Sequence, residues 1–483
     1  MLLYNTLGRK KMEFRPVRPD KTYMYVCGIT AYDYCHIGHA RSAVVFDVLA
    51  RRMRHLGFNL FFVRNFTDID DKIMARAAKE GSDWQVIAQT YIDAFHEDMD
   101  RLGVLRPDSE PRATEYIPQI QELCLRLIDA GKAYVAPSGD VYFRVRSYLP
   151  YGKLSGRTLD DLLAGARVAP GEEKEDPLDF AVWKASKPGE PFWNSPWGKG
   201  RPGWHIECSA MSAPYLPLDI HGGGQDLVFP HHENEAAQTE SVCGHNLASY
   251  WIHNGFVQIN AEKMSKSLGN FKTIRQILQN YLPETLRFFL LSKHYRSPID
   301  FTAQGLDNAE KALYRMYSSL LEAHRALAGT QREKTALPDN LRDEWRALHQ
   351  AFNDALDDDI NTALALGHVF SQARIVNRLF ENKHLRVSEA AGSIFEEFLQ
   401  RALDWNTQLG LFGVNPHDFL NELRALRAKR AKLDIAEVEA TLQERRRARE
   451  QKDFEKSDRL RNRLHVLGVS VQDTPEGQIW DIQ

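Results

Sequence analysis

Four short strings in this 483-residue chain carry side chains suited to phosphate or metal chemistry. His36-Ile37-Gly38-His39 sets two imidazoles, which are movable donors, around a glycine that lets backbone approach a nucleotide. Paired histidines of this kind can stabilise charge developing at phosphorus. Lys263-Met264-Ser265-Lys266-Ser267-Leu268-Gly269-Asn270 puts two ammonium groups on a polar, glycine-ended loop. Compact charges on flexible stems can follow a triphosphate through reaction and hold a departing pyrophosphate. His221-Gly222-Gly223-Gly224-Gln225-Asp226 offers three glycines, enough for backbone to lie against adenosine. Pro230-His231-His232-Glu233-Asn234-Glu235 reads as a helix start, with His231 and Glu235 at i and i+4 on one face. Taken singly, each string has a plainer reading as structural histidines, solvated lysines or a turn.

The elements around the strings decide among these readings. Tyr23 to Val26 is a β-branched and aromatic run ending at Cys27-Gly28, and Ala40 to Arg54 has helical apolar spacing through Val44, Val45, Val48 and Leu49. A second apolar strand is expected at Leu60 to Val63, so the first 65 residues read as a βαβ unit of a parallel nucleotide-binding sheet. Ligand belongs at the carboxyl ends of such strands. Glu115 to Ala130 is an amphipathic helix and Ala133 to Arg146 a hairpin, together an insertion. Ala169 to Gly203, dense in Pro, Gly and Trp, reads as too irregular for a long helix or a central strand. Strand character returns at Leu218 to His221 and Trp251 to Gln258, so the sheet resumes beyond the insertion.

From Gly305 to Leu411 the pattern is helical and non-catalytic, a bundle. The end, Val466 to Gln483, reads as a hairpin following a basic helix. The resulting division is 1–114 and 200–250 for the two halves of a split Rossmann-type α/β domain, and 115–199 for the insertion. The lysine-rich loop falls in 251–304, the bundle in 305–420 and a small mixed α/β domain in 421–483.

Composition limits the class. With 43% hydrophobic and 26% charged residues the chain is an ordinary globular protein of several domains, not a disordered or fibrous one. No apolar run approaches membrane-spanning length and no secretory signal opens the chain, so a cytoplasmic protein is expected. Net charge is −3, but Asn421 to His465 holds 14 Lys/Arg against 9 Asp/Glu, a net of +5 that leaves −8 on the remainder. A basic end on an acidic body suits a polyanionic partner, although a solvated charged helix would look the same.

Five cysteines cannot make a disulfide scaffold in a chain of this size. Cys27 ends the first strand and Cys208 lies in Trp204-His205-Ile206-Glu207-Cys208, both near the proposed ligand edge. With His231 and Glu235 they would make a zinc set, but 181 residues separate the cysteines and no CxxC is present, so spacing alone favours structural thiols.

Seven motifs in order resemble those of bacterial cysteinyl-tRNA synthetases, a class I aminoacyl-tRNA synthetase family, over essentially the whole chain. They are Tyr25 to Thr30, His36 to Arg41, Asn65 to Lys72, Gly200 to Ser209, the triple-glycine loop, His231 to Glu235 and Lys263 to Asn270. The resemblance implies one Zn²⁺ held by Cys27, Cys208, His231 and Glu235, selecting cysteine through its thiolate over serine. It implies ATP, with Mg²⁺, bound by His36, Gly38, His39, Gly222, Gly223, Gly224, Lys263 and Lys266. Of these, His36, His39, Lys263 and Lys266 would assist the chemistry. Thr67, Trp204, His221 and Asp226 would line the amino-acid pocket. It further implies transfer of cysteine to tRNA(Cys) by a monomer, without an editing site. Phe352 to Thr362 resembles the start of the family's helical domain, its acidic run Asp357-Asp358-Asp359 being expected to start a helix. The basic helices from Arg424 to Arg463 and the hairpin with Trp480 resemble the domain that reaches the anticodon. Two rivals share features: a mycothiol-pathway cysteine ligase, which lacks the anticodon-end domains, and a non-catalytic zinc- and RNA-binding relative.

Overall fold

The computed structural model describes residues 1–164, 173–259, 262–263, 272–328, 332–474 and 477–482, with backbone alone at 162–164, 262–263, 474, 477 and 479. Its centre is a four-stranded parallel sheet in the order Ala248–Asn254, Leu218–Gly224, Thr22–Thr30, Leu60–Thr67. The two halves expected from the sequence thus meet side by side, with Ile220 opposite Met24 and Tyr25 opposite Val63. These strands are buried on both faces, the condition under which a parallel strand reads as continuous Val, Ile, Phe and Tyr rather than as an alternation. The strand Ala248–Asn254 crosses position 250, so a division there falls inside the sheet.

The crossover helix Ile37–His55 lays Val44, Val45, Val48 and Leu49 on the sheet. Arg41 is buried beneath it and donates to the carbonyls of His294, Tyr295 and Ser297, tying the helix start to the chain beyond the lysine loop.

The insertion forms its own body with its own apolar cluster, centred on Ile120, Leu127, Phe143, Val182 and Trp183. Here the structure corrects the expectation of an irregular 169–203 stretch. Phe180–Ala185, Trp193–Ser195 and Gly198–Pro202 are strands that join Ala133–Val135 and Val141–Phe143 in a five-stranded antiparallel sheet, with Phe180–Ala185 at its centre. Short strands whose prolines fall at their ends or just beyond them keep their ladders. Pro191 precedes Trp193–Ser195 and Pro202 ends its strand. Gly200 stands where a side chain would strike the Trp183 indole and the Lys184 carbonyl, so this glycine is needed for close strand packing.

Helices Ala303–Leu327, Asp339–Asp357, Thr362–Glu381 and Glu389–Leu409 make the expected bundle. It shares one continuous apolar core with the parallel sheet. The acidic run does not start a helix. Asp357 ends one and the run turns the chain, each carboxylate meeting a cation from elsewhere: Asp357 with Arg52, Asp358 with Lys11, and buried Asp359 with Arg296.

Past Pro416–Ala431, helices Ile435–Glu450 and Phe454–Val466 and the hairpin Val469–Thr474/Gly477–Ile482 close a separate cluster of Val438, Leu442, Leu464, Val469 and Ile482. Much of the basic charge there is matched internally: Arg445 and Arg449 with Asp473, Arg463 with Glu437, and Lys456 with Glu444. Trp480 is partly buried with Arg424 over its ring at 4.6 Å, so that face is covered rather than open for stacking.

Candidate functional site

A cleft of about 350 Å³ opens at the carboxyl ends of the parallel strands. Its wall includes Cys27, Gly28, His36, Gly38, His39, Lys72, Trp204, Gly224 and Asp226. Gly28 is required: a side chain at this position would overlap the Asn65 carbonyl of the neighbouring strand, and Gly28 N–H donates to Asn65 Oδ1 at 3.0 Å.

The two histidines of the first string are locked by the helix they start. His36 is the N-cap, its Nδ1 accepting from Gly38 N–H at 3.1 Å, and His39 Nδ1 accepts from His36 N–H at 3.3 Å. With both Nδ1 atoms accepting, a neutral ring carries its proton on Nε2. The rings stack with centroids 3.7 Å apart. Two preoriented Nε2–H donors at one wall suit negative charge growing on a phosphate.

At the inner end of the cleft Cys27, Cys208, His231 and Glu235 converge, all buried, with one ligand atom from each lying within 4.8 Å of the others. The two Sγ atoms are 3.7 Å apart, Cys27 Sγ is 3.4 Å from Glu235 Oε1, and His231 Nε2 is 2.9 Å from that same oxygen. Two thiolates at Zn–S bonds of about 2.3 Å in a tetrahedron stand about 3.8 Å apart. The donor set therefore fits zinc. The surrounding bonds fit too. His231 turns its other nitrogen, Nδ1, to His205 Nδ1 at 2.9 Å, and Glu235 gives its other oxygen to His221 Nε2 at 2.8 Å. Such outer partners fix the orientation of metal ligands. A second grouping, Cys27, His221, His232 and Glu235, offers one sulfur instead of two, a weaker match to a soft-leaning ion.

Without metal the charges of this cluster are strongly shifted. Burial alone would lower His231, but Glu235 and Cys208 outweigh it and raise the imidazole to about 10. Burial likewise opposes ionisation of Glu235, and His231 and His221 hold it well below the carboxylate range. The Cys27 thiol donates to Cys208 and lowers the latter to about 6.

The amino-acid-side residues separate into two groups. Trp204 is 41% exposed, lines the cleft and lies over His231 with centroids 4.4 Å apart, and Asp226 is exposed at the rim. Thr67 is buried outside the cleft lining and donates its hydroxyl to Glu207 at 2.9 Å. His221 does not line the cleft. It is wholly buried behind Glu235 and stacked on Trp251, because its strand position points it into the ligand-supporting layer. Gly222 and Gly223 are also spoken for by packing, against the Phe46 ring and against His232 and Leu227, and only Gly224 of the three reaches the cleft. Lys263 lies in a short strand paired with Gln258, and Lys266 falls outside the described residues. Sequence reasoning missed His205, whose signal was its place one turn before Cys208 on helix Trp204–Ser212.

The chain matches the family described as tRNA synthetases class I (C) catalytic domain over residues 13–311. It matches the DALR domain over 351–412 and the cysteinyl-tRNA ligase anticodon binding domain over 435–480. A cysteine–tRNA ligase of Desulfovibrio desulfuricans is 69% identical over 100% of both chains. The chain belongs to the cysteine–tRNA ligase family. A second family member, from Nitratidesulfovibrio vulgaris, is 62% identical, again over 100% of each chain. Among solved structures, Mycobacterium tuberculosis methionyl-tRNA synthetase in complex with methionyl-adenylate shares the fold at TM-score 0.63 and 17% identity, over 81% of this chain and 92% of that one. A leucyl enzyme of Agrobacterium radiobacter, solved as LeuRS-tRNA-LeuAMS, gives 0.59 at 13% identity, over 86% of each. The class I fold of this cysteine–tRNA ligase family member thus includes its parallel sheet and bundle. Among the described residues no helix is long and apolar enough to cross a membrane.

Proposed function

We propose that this chain activates L-cysteine with ATP and Mg²⁺ and attaches it to tRNA(Cys), selecting the substrate through Zn²⁺ held by Cys27, Cys208, His231 and Glu235. The observation that carries this reading is the two-sulfur donor set at the inner end of the cleft, beside the histidine pair. Zinc bound there would supply a borderline-soft centre that prefers a thiolate to a hydroxyl.

The remaining work belongs to the chain itself. Asp226 at the rim suits the ammonium of the amino acid, Trp204 walls the pocket over His231, and Thr67, buried behind the cleft lining, supports the site through its bond to Glu207. The cysteine carboxylate attacks the α-phosphorus of ATP, forming cysteinyl-adenylate as pyrophosphate leaves. His36 and His39 donate from Nε2 to the phosphate oxygens that gain charge. Lys263 and Lys266, by motif, hold the departing pyrophosphate. A ribose hydroxyl of the terminal adenosine then attacks the carbonyl of the adenylate, and AMP leaves. The cluster around Val438 and Leu464 carries the anticodon contacts.

The test is attachment of radiolabelled cysteine to a tRNA transcript with a GCA anticodon, with serine as control. Charging by cysteine alone is expected. Cysteine-dependent ATP–pyrophosphate exchange without charging would move the assignment to a ligase that passes cysteine to an amino sugar. Absence of both would leave a non-catalytic relative.

A further inference from the structure

The string Asn65-Phe66-Thr67-Asp68-Ile69-Asp70-Asp71-Lys72 leaves the sheet at the end of its edge strand, and nearly all its polar groups have internal partners. Asn65 holds Gly28 N–H, Thr67 holds Glu207, and Asp68 accepts from both the backbone N–H and the hydroxyl of Thr114. Asp70 caps the helix Asp71–Glu80 by accepting from Lys72 N–H at 2.8 Å. Asp71 is taken by two cations of the insertion, Lys184 at 3.2 Å and Arg201.

Lys72 is the exception. Its side chain is exposed, it lines the cleft, and no carboxylate among the described residues pairs with its ammonium. Nζ stands 5.5 Å from the Tyr32 ring centroid, which holds the side chain over the cleft mouth. The other non-histidine cation lining the cleft, Arg64, is buried and bonded to Glu110. The one carboxylate among the described lining residues, Asp226, is on the strand-end loop after Leu218–Gly224, two strands from the edge strand that precedes Lys72. An unpaired ammonium at the mouth of a cleft built for nucleotides is a seat for phosphate.

The location says which phosphate. Gly224 and Gly255 line the cleft at the ends of Leu218–Gly224 and of the opposite edge strand, Ala248–Asn254, whereas Lys72 follows the edge strand Leu60–Thr67 on the far side of the sheet. Lys184 and Arg201 clamp its helix to the insertion through Asp71, so Lys72 stands on the wall of the cleft nearest the insertion. A polynucleotide end entering between insertion and sheet passes that wall before it reaches the adenylate. Building on the proposed activity, we infer that Lys72 Nζ holds a substrate phosphate at the cleft mouth, the phosphodiester next to the 3′-terminal adenosine of the tRNA rather than the triphosphate of ATP.

The full-length chain tests this with Lys72→Gln and Lys72→Arg. One arm measures cysteine-dependent ATP–pyrophosphate exchange without tRNA. The other measures single-turnover transfer from preformed cysteinyl-adenylate to a tRNA transcript, against tRNA and salt concentration. Loss of one charge-assisted contact predicts transfer by Lys72→Gln slowed about tenfold or more at subsaturating tRNA. A salt dependence shallower by about one phosphate contact is also expected. Exchange should change less than about twofold, a margin well inside the worth of one such contact, and Lys72→Arg should recover most of the transfer rate. Loss confined to exchange would assign the phosphate to ATP and overturn the inference. Unchanged transfer would overturn it too, as would equal loss in both arms with a lowered melting temperature, which would make Lys72 structural. If the unmodified chain fails to charge tRNA with cysteine, the proposed function fails. If it charges normally and Lys72→Gln matches it, only this inference fails.

Discussion

The Sγ atoms of Cys27 and Cys208 lie 3.7 Å apart, although 181 residues separate them in the chain. That gap is too wide for a disulfide and close to the edge of a zinc–thiolate tetrahedron. With zinc bound as proposed, Cys208→Ser is therefore expected to hold less than half the zinc of the unmodified protein and to lose cysteine-dependent exchange with it. Metal analysis of the purified variant beside the unmodified protein checks this. Full zinc occupancy in the variant would remove Cys208 from the ligand set.

Glu284 titrates near neutrality. It sits at the start of helix Pro283–Leu291, where it accepts from Phe412 N–H at 2.5 Å and from the Tyr317 hydroxyl at 2.7 Å. Burial raises its carboxyl from 4.5 to about 7, and the bonds from Phe412 and Tyr317 and the nearby Arg287 only partly oppose that shift. The folded state thus binds the proton more tightly than the unfolded chain does. Glu284 contributes stability that is complete below about pH 4.5 and is lost as pH rises through about 7. Glu284→Gln should flatten this slope, so its melting temperature should gain on the unmodified protein between pH 5 and pH 8. Parallel curves for the two proteins would show that the carboxyl does not titrate in this range.

Asp359 ties three parts of the molecule together. Its carboxylate is fully buried and accepts from Tyr4 N–H at 2.8 Å, from the Tyr295 hydroxyl at 2.7 Å and from Arg296 Nε at 2.7 Å. Its own N–H bonds the Leu2 carbonyl at 2.9 Å. Asp359→Ala leaves these donors without an acceptor, at a cost of about 2–4 kcal/mol, Arg296 being partly solvated. Asp359→Asn keeps an acceptor oxygen and tolerates the φ of +63° at this turn, so it should lose less than half as much. Urea midpoints for the two variants test the order, and an alanine variant as stable as the unmodified chain would exclude the clasp.

What could be read in advance follows from where information is local. The strand read at Tyr23 to Val26, the helix start at His36 and the i, i+4 pair His231 and Glu235 are each written in a few consecutive residues, and they appear where expected, the strand running on past Cys27-Gly28 to Thr30. Asp357 to Asp359 look like a helix start by composition, yet their partners Arg52, Lys11 and Arg296 lie far off in sequence, and it is those partners that fix the turn. The same holds for His221. Its string looks like a nucleotide loop, but strand alternation sends the imidazole to Glu235 and Trp251. The Pro-rich and Trp-rich insertion hid short strands because three- to six-residue ladders leave little periodicity to detect. The convergence of Cys27 with Cys208 depends on the whole sheet closing, so spacing alone could not decide it.

The anticodon-end cluster can be removed without opening the main core, provided the cut is placed by packing. Sequence pattern ends the bundle near Leu411, but Phe412 is buried, Phe419 stacks on Tyr317 with centroids 3.8 Å apart, and Arg427 and Arg430 both bind Glu310. A chain ending at Leu411 would lose all of these and expose apolar surface. Lys432 is the left-handed cap that ends helix Pro416–Ala431, and the residues beyond it pack mainly on one another. A chain of residues 1–432 is therefore expected to keep its melting temperature within a few degrees. It should keep cysteine-dependent exchange within about twofold, while tRNA charging at subsaturating tRNA falls at least about tenfold through lost phosphate and base contacts. Equal loss of exchange and charging would mean that the cleft depends on this cluster, and undiminished charging would mean that the tRNA does not touch it.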